Sequence, residues 1–185
     1  ENIHEMILDT IKNYCELQVE SHLNDENKLA SNELSELLEA VNELLRNKIE
    51  FKDIENKSID EINSFIYDKF VTEYENKIKN IPAHIHQEFE RAIALRVIDT
   101  HWMEHINTMS VLREGIHLRG YAQEDPLRAY TTEGYELFDN LLDVIDKEVV
   151  TFLMKAEVRQ NTERKEVVKG NAAEDNSKVK KQTPK

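Results

Sequence analysis

The sequence predicts an all-α protein with a helical wing-like subdomain, a long antiparallel two-helix hairpin and a disordered C-terminal tail. The 185 residues include only four glycines and three prolines. Alternation of apolar and polar residues with period two, which is typical of strands, is hard to find. Apolar residues instead recur at spacings of three and four, which is the period of a helix face.

Two helices are predicted before residue 50. Apolar residues from Ile3 to Leu17 mark a first helix over about residues 2–20, and the polar stretch SHLNDENKLASN ends it. Leucines and a valine between Leu34 and Leu45 mark a short second helix with an acidic outer face.

A third helix begins at a capping box. Ser58 and Glu61 have the spacing at which each side chain accepts a hydrogen bond from an otherwise unpaired backbone N–H group. Pro82 should end or kink this helix near Ile81 because proline lacks the amide donor. We therefore predict a first domain over residues 1–82.

Residues 83–158 predict a hairpin of two long helices, because two apolar stripes of matching length are joined by a short loop. We expect Trp102 to lie buried at the centre, so that Trp102→Ala costs about 3 to 5 kcal/mol. The predicted hairpin core consists of Trp102, Ile106, Met109, Phe138, Leu141 and Ile145.

The ends of the hairpin helices are marked by specific residues. Gly115 could end the first helix by adopting a left-handed conformation, and Gly120 is an equally possible stop. Asp125 followed by Pro126 predicts the start of the second helix, since the carboxylate caps amides and proline suits the first position.

The ends of the chain indicate a soluble piece of a longer protein. The sequence opens with Glu1, and no apolar run approaches the roughly 20 residues that span a bilayer. Residues 159–185 lack aromatic residues and periodicity, so we expect a disordered linker.

The charge distribution argues against nucleic-acid binding. The net charge is −13 overall, with −12 over residues 1–90, −5 over 91–158 and +4 over 159–185. A strongly acidic body repels a phosphate backbone. The single cysteine, Cys15, cannot form an internal disulfide, and we expect it in the core.

Two motifs resemble catalytic sites but are incomplete. Residues 101–105, HWMEH, match the H-x-x-E-H pattern of some zinc peptidases, but a third ligand and a cleft are lacking, so we expect His101 and His105 to flank a buried Trp102. The pair His84 and His86 is expected to be structural. Gly115 and Gly120 have phosphate-loop spacing without the following lysine. We therefore predict no catalytic residue, no bound metal and no ATP hydrolysis on this chain.

The turn GIHLRGYAQEDP, residues 115–126, is unusually rich in cationic and aromatic groups for a simple connection. Loops on rigid scaffolds often carry binding groups, so we favour a contact role over a loop that folds back on its own domain. The candidate contact residues are His117, Leu118, Arg119, Gly120, Tyr121 and Gln123.

The run from residue 97 to 142 resembles the SecA family of ATP-driven motors of bacterial protein export. IHLRGYAQ followed by D-P, with HW upstream and EGYELF downstream, is similar to the two-helix finger of the family's helical scaffold domain. The resemblance covers about residues 86–168. Residues 1–85 resemble the helical wing domain in position, helical content and the closing EFERAIALRVID.

This resemblance implies a mechanical role. The loop tyrosine of the finger corresponds to Tyr121, preceded by Arg119 and Gly120. Implied partners are the preprotein, the SecYEG channel, and the nucleotide-binding and preprotein-binding domains of the parent chain. A homodimer of the parent is also compatible with the resemblance. The implied location is the cytoplasm, peripheral to the bacterial plasma membrane.

The resemblance also implies cofactors that belong to other parts of the parent. ATP and Mg²⁺ would be bound by nucleotide-binding domains that this chain lacks, and zinc is possible at the parent's C-terminus, whose cysteine motif is not in this sequence. Two alternatives to a motor fragment are a self-associating helical module and, less favoured, a zinc peptidase at residues 101–105.

Overall fold

A computed structural model describes residues 2–24, 29–118 and 125–157, and all regular secondary structure within these ranges is helical. This confirms the all-α prediction. The predicted linker, residues 159–185, lies outside the described residues. The five helices are α1 (Ile3–Ser21), α2 (Ser31–Asn42), α3 (Ile59–Ile78), α4 (Ala83–Gly115) and α5 (Pro126–Lys155), and a short 3-10 helix (Phe51–Asp53) follows α2.

The predicted starts of α3 and α5 are confirmed. The Ser58 hydroxyl accepts from the Glu61 amide at 3.3 Å, and the Glu61 carboxylate accepts from the Ser58 amide at 2.7 Å. At α5, the Asp125 carboxylate accepts from the Leu127 amide at 3.0 Å, and Pro126 takes the first helical position. Both caps satisfy amides that a helix start leaves unpaired.

Two predicted helix ends have different outcomes. Pro82 does separate α3 from α4, since α3 ends at Ile78 and Pro82 precedes the first residue of α4. The prediction for Gly115 was right about where α4 ends and wrong about the left-handed conformation. Gly115 is the last helical residue, and Ile116 continues with right-handed helical angles, φ −66° and ψ −28°. A short 3-10 turn over residues 116–118 tightens the chain there instead.

The main core lies between α1, α2 and α3, and the base of the hairpin completes it. Cys15 belongs to this core, as predicted, and burial raises the pKa of its thiol. The division into domains 1–82 and 83–158 stays a prediction, and a single apolar cluster extends across that boundary. The hairpin contributes Val97, Val149, Val150, Leu153 and Met154.

Two lysines hold the end of α5 against the rest of the fold. The Lys77 ammonium, on α3, donates to the backbone carbonyls of Leu153 and of Met154, the latter at 3.1 Å. Carbonyls in the last turn of a helix lack intrahelical partners, so a cation is favourable there. Lys155 donates to the Glu43 carboxylate at 2.9 Å. These contacts fix the base of the hairpin.

Within the described ranges, none of the helices is both long enough and apolar enough to span a membrane.

Candidate functional site

Helices α4 and α5 form the predicted antiparallel hairpin. His101 on α4 contacts Glu148 on α5, and the ring centroids of His105 and Phe138 are 6.0 Å apart. As the residue number rises along α4, the number of the partner on α5 falls. The two helices therefore run in opposite directions along a shared face.

The two helices approach closely at Gly134. A β-carbon at this position would lie 3.2 Å from the terminal methyl group of Met109, which is tighter than an ordinary contact. Glycine in a helix interior costs about 1 kcal/mol relative to alanine. The absence of a side chain at Gly134, within the EGYELF segment, leaves room for the Met109 methyl group, which is the flexible end of its side chain.

The outer part of the hairpin projects beyond the main core. On α4 the last residue of the main apolar cluster is Val97, and 18 further residues reach Gly115. At 1.5 Å per residue, the tip lies roughly 27 Å beyond the base. This outer part has a small buried set of its own, consisting of Ile116, Ala129 and Leu141.

The described part of the tip presents exposed side chains. Leu118 is 68% exposed and His117 is also exposed, although Ile116 beside them is buried. The other predicted contact residues, Arg119, Gly120, Tyr121 and Gln123, lie outside the described residues.

The prediction of a hairpin centre buried around Trp102 was wrong. Trp102 is 46% exposed, and Ile106 and Phe138 are also exposed. The other three residues of the predicted hairpin core are covered to different extents. Leu141 is buried, Met109 is partly buried, and Ile145 is partly buried and packs against the main core. Two helices cover only part of each other's circumference, so a broad stripe on each leaves apolar side chains in water.

Most of the exposed large apolar side chains among the described residues lie on the hairpin. Of the fourteen in the described residues, thirteen are between residues 95 and 152, and the other is Met6. Extended exposed apolar surface is typical of contact sites. The thirteen are Leu95, Ile98, Trp102, Met103, Ile106, Val111, Leu118, Leu127, Tyr135, Phe138, Leu142, Val144 and Phe152.

The two histidines of HWMEH have different partners. His101 Nε2 bonds to the Glu148 carboxylate, and its Nδ1 lies 3.4 Å from the Glu104 carboxylate. The His105 ring packs 5.7 Å from the Trp102 ring. The hydrogen bond with Glu148 is the main cause of a raised pKa for His101. This histidine therefore joins the two helices best when it is protonated.

We expect the contribution of His101 to stability to depend on pH. Its pKa is raised above 6.5 in the folded state, so its stabilisation is fully present below pH 6.5 and is lost as the pH rises through the folded pKa. The difference in thermal midpoint between wild type and His101→Gln should be larger at pH 6 than at pH 8. His105→Gln is the control, and a pH-independent difference for His101→Gln would contradict the ion pair.

A polar cluster that sequence analysis missed joins α1, α3 and α4. His4 Nδ1 lies 2.7 Å from Glu90 Oε1, and His4 Nε2 lies 2.9 Å from Glu75 Oε1. The Tyr74 hydroxyl donates to Glu90 Oε1 at 2.9 Å. The only local signal is His86 one helical turn before Glu90. The other members come from distant parts of the chain.

The side chains of the cluster differ in their exposure to solvent. The Glu90 side chain is fully buried, whereas that of His4 is 22% exposed. Burial lowers the pKa of His4, but the hydrogen bonds with Glu90 and Glu75 outweigh this effect and raise it overall. Burial and the neighbouring Glu90 raise the pKa of Tyr74, so its hydroxyl remains a donor.

Comparison with protein families gives a match over most of the chain. A family model described as the SecA Wing and Scaffold domain matches residues 1–157. The match covers all five helices, including the hairpin and the polar cluster.

Proposed function

Because the chain belongs to the SecA Wing and Scaffold domain family, a family of protein translocation, we propose that its hairpin contacts the moving polypeptide and its channel. The chain then acts mechanically within a SecA-type motor. The tip meets the preprotein and the mouth of the SecYEG channel, and the sides of the hairpin restrain the ATPase domains.

The observation that carries this proposal is the concentration of exposed apolar surface on the hairpin. The exposed residues are distributed along the hairpin, and on α4 and the turn after it they extend from Leu95 to Leu118. Most of these side chains lie beyond the main core, which ends near the base of the hairpin. Other domains of the motor cover the sides, and the passenger chain or the channel meets the tip.

The composition of the turn supports contacts that do not depend on the amino-acid sequence of the bound polypeptide. The aromatic ring of Tyr121 can pack against many side chains, and its hydroxyl can hydrogen-bond to a backbone. The guanidinium of Arg119 can donate to carbonyls or to acidic groups. Such contacts suit a device that handles many different polypeptides.

The chemical step of the motor takes place elsewhere in this proposal. ATP and Mg²⁺ bind to nucleotide-binding domains outside this chain, and the fragment itself has no catalytic role. The motor works in the cytoplasm, peripheral to the bacterial plasma membrane, where it meets the channel. Its preprotein-binding domain and a second copy of the motor are further partners.

The test of the proposal is Tyr121→Ala in the intact motor. We expect transport of a preprotein into channel-containing vesicles to fall strongly, while basal ATP hydrolysis changes little because the catalytic groups lie elsewhere. Tyr121→Phe and Tyr121→Trp should retain more transport than Tyr121→Ser, since ring surface matters more than the hydroxyl.

The same variant in the isolated chain is the control for folding. Its free energy of unfolding should change by less than about 0.5 kcal/mol, as is usual for surface positions. Normal transport with Tyr121→Ala would show that transport does not depend on this side chain. A variant chain that unfolds much more readily would show that Tyr121 stabilises the fold.

The exposed apolar face also favours a second function, which is self-association of the hairpin. Met103→Glu and Leu142→Glu distinguish the two, because both positions are exposed on the hairpin. If the face holds two copies together, these charges will convert dimers of the intact motor into monomers. If the motor's own domains cover it, the mass in solution will not change.

A further inference from the structure

We propose that His4, His86 and Glu90 form a binding site for one divalent transition-metal ion, with Zn²⁺ as the natural probe. The site lies where α1, α3 and α4 meet. It is independent of the transport role proposed above, and neither proposal requires the other.

The three side chains have the composition of a metal site. Each offers one ligand atom, and these atoms lie within 4.8 Å of one another. Two imidazoles and one carboxylate suit Zn²⁺, which binds such groups at about 2.0–2.2 Å with water in the fourth position. Ligands around one tetrahedral ion lie roughly 3.4 Å apart, so small side-chain rotations complete the geometry.

Two buried atoms of the cluster point to a missing partner. Glu90 Oε2 and His86 Nδ1 are both buried and make no hydrogen bond within the described residues. Buried polar atoms are nearly always paired, and an unpaired carboxylate oxygen is especially costly. A cation bound between α1 and α4 would be a partner for the unpaired carboxylate oxygen of Glu90, and the His86 imidazole would be one of its ligands.

The surrounding groups match the outer shell of known metal sites. A histidine that binds a metal usually donates its other ring N–H to a carboxylate. His4 fits this pattern, since Nε2 donates to Glu75 at 2.9 Å and leaves Nδ1 for the ion. The Tyr74 hydroxyl orients the Glu90 carboxylate by donating a hydrogen bond to its Oε1. When the ion enters, it replaces the proton between His4 Nδ1 and Glu90, and that proton is released to solvent.

Cysteine is not an alternative ligand in this chain. Cys15 is the only cysteine, it is buried in the apolar core, and burial raises the pKa of its thiol. Zinc requires the thiolate. Motifs of neighbouring residues predict no metal in this chain. This site, in contrast, combines residues 4, 86 and 90, which only the tertiary fold brings together.

The test is zinc binding by the 185-residue chain after treatment with a chelator. Calorimetric titration with Zn²⁺ alone and elemental analysis should both give one ion per chain. Adding zinc should raise the thermal midpoint of the wild type. His86→Ala should reduce the affinity at least tenfold and remove this rise, and Glu75→Gln should reduce the affinity roughly tenfold.

The matched control is His84→Ala, which removes an exposed histidine two residues from His86 on the same helix. It should leave zinc binding unchanged, as should His101→Ala. Glu90→Gln keeps the shape of the buried side chain and tests the carboxylate separately. A chain that binds no zinc, or a loss with His84→Ala or His101→Ala equal to that with His86→Ala, would overturn the proposal.

Discussion

Phe70→Ala should lower the free energy of unfolding by about 3 to 5 kcal/mol, which is the usual cost of removing a fully buried aromatic ring. Phe70 is 0% exposed on α3, and its ring meets that of Tyr14 on α1 edge to face at 5.5 Å. The change leaves a cavity between two helices of the main core. Unfolding in urea, followed by helical circular dichroism, measures the loss.

Trp102→Ala is the comparison for this experiment. The Trp102 side chain is nearly half in water, so its truncation removes much less buried surface than truncation of Phe70. We expect a clearly smaller loss, which revises the value that the sequence alone predicts. Equal losses for the two variants would mean that the hairpin is packed more tightly than its exposed side chains indicate.

His4→Ala should lower the free energy of unfolding by about 1 to 3 kcal/mol at pH 6 in the presence of a chelator. Hydrogen bonds to charged groups contribute at this level, and the change leaves buried Glu90 with only the Tyr74 hydroxyl. The loss should be smaller at pH 8.5. The pKa of His4 is raised above 6.5 in the folded protein, so its stabilisation is present below pH 6.5 and declines as the pH rises through the folded pKa.

The control for His4→Ala is His84→Ala, at an exposed position of α4. Its effect should stay within about 0.5 kcal/mol at both pH values. A loss for His4→Ala that is the same at pH 6 and pH 8.5 would mean that His4 stabilises the junction through ring packing. The neighbours that offer such packing are Tyr74 and His86.

Helix starts could be predicted from the sequence because capping is local. Ser58 with Glu61, and Asp125 with Pro126, act within four residues of one another, so the pattern contains all the information that the geometry needs. Gly115 shows the limit of such reasoning. Glycine permits a left-handed end but does not require one, and here a 3-10 turn follows it instead.

The exposure of Trp102 and the polar cluster could not be predicted in the same way. A stripe of period 3.6 identifies the apolar face of a helix, but it does not say how much of that face a neighbour covers. His4 and Glu90 are 86 positions apart and meet only because α1 packs beside α4. Their hydrogen bond is a product of the tertiary fold.

The contacts of Lys77 and the valines at the base fix one end of the hairpin, whereas its tip lies outside the main core. The tip lies roughly 27 Å from the last core residue of α4, so a rotation of about 10° at the base displaces it by about 5 Å. An extended polypeptide advances about 3.3 to 3.6 Å per residue. In the function proposed above, a rotation of this size at the base would correspond to between one and two residues of a polypeptide held at the tip.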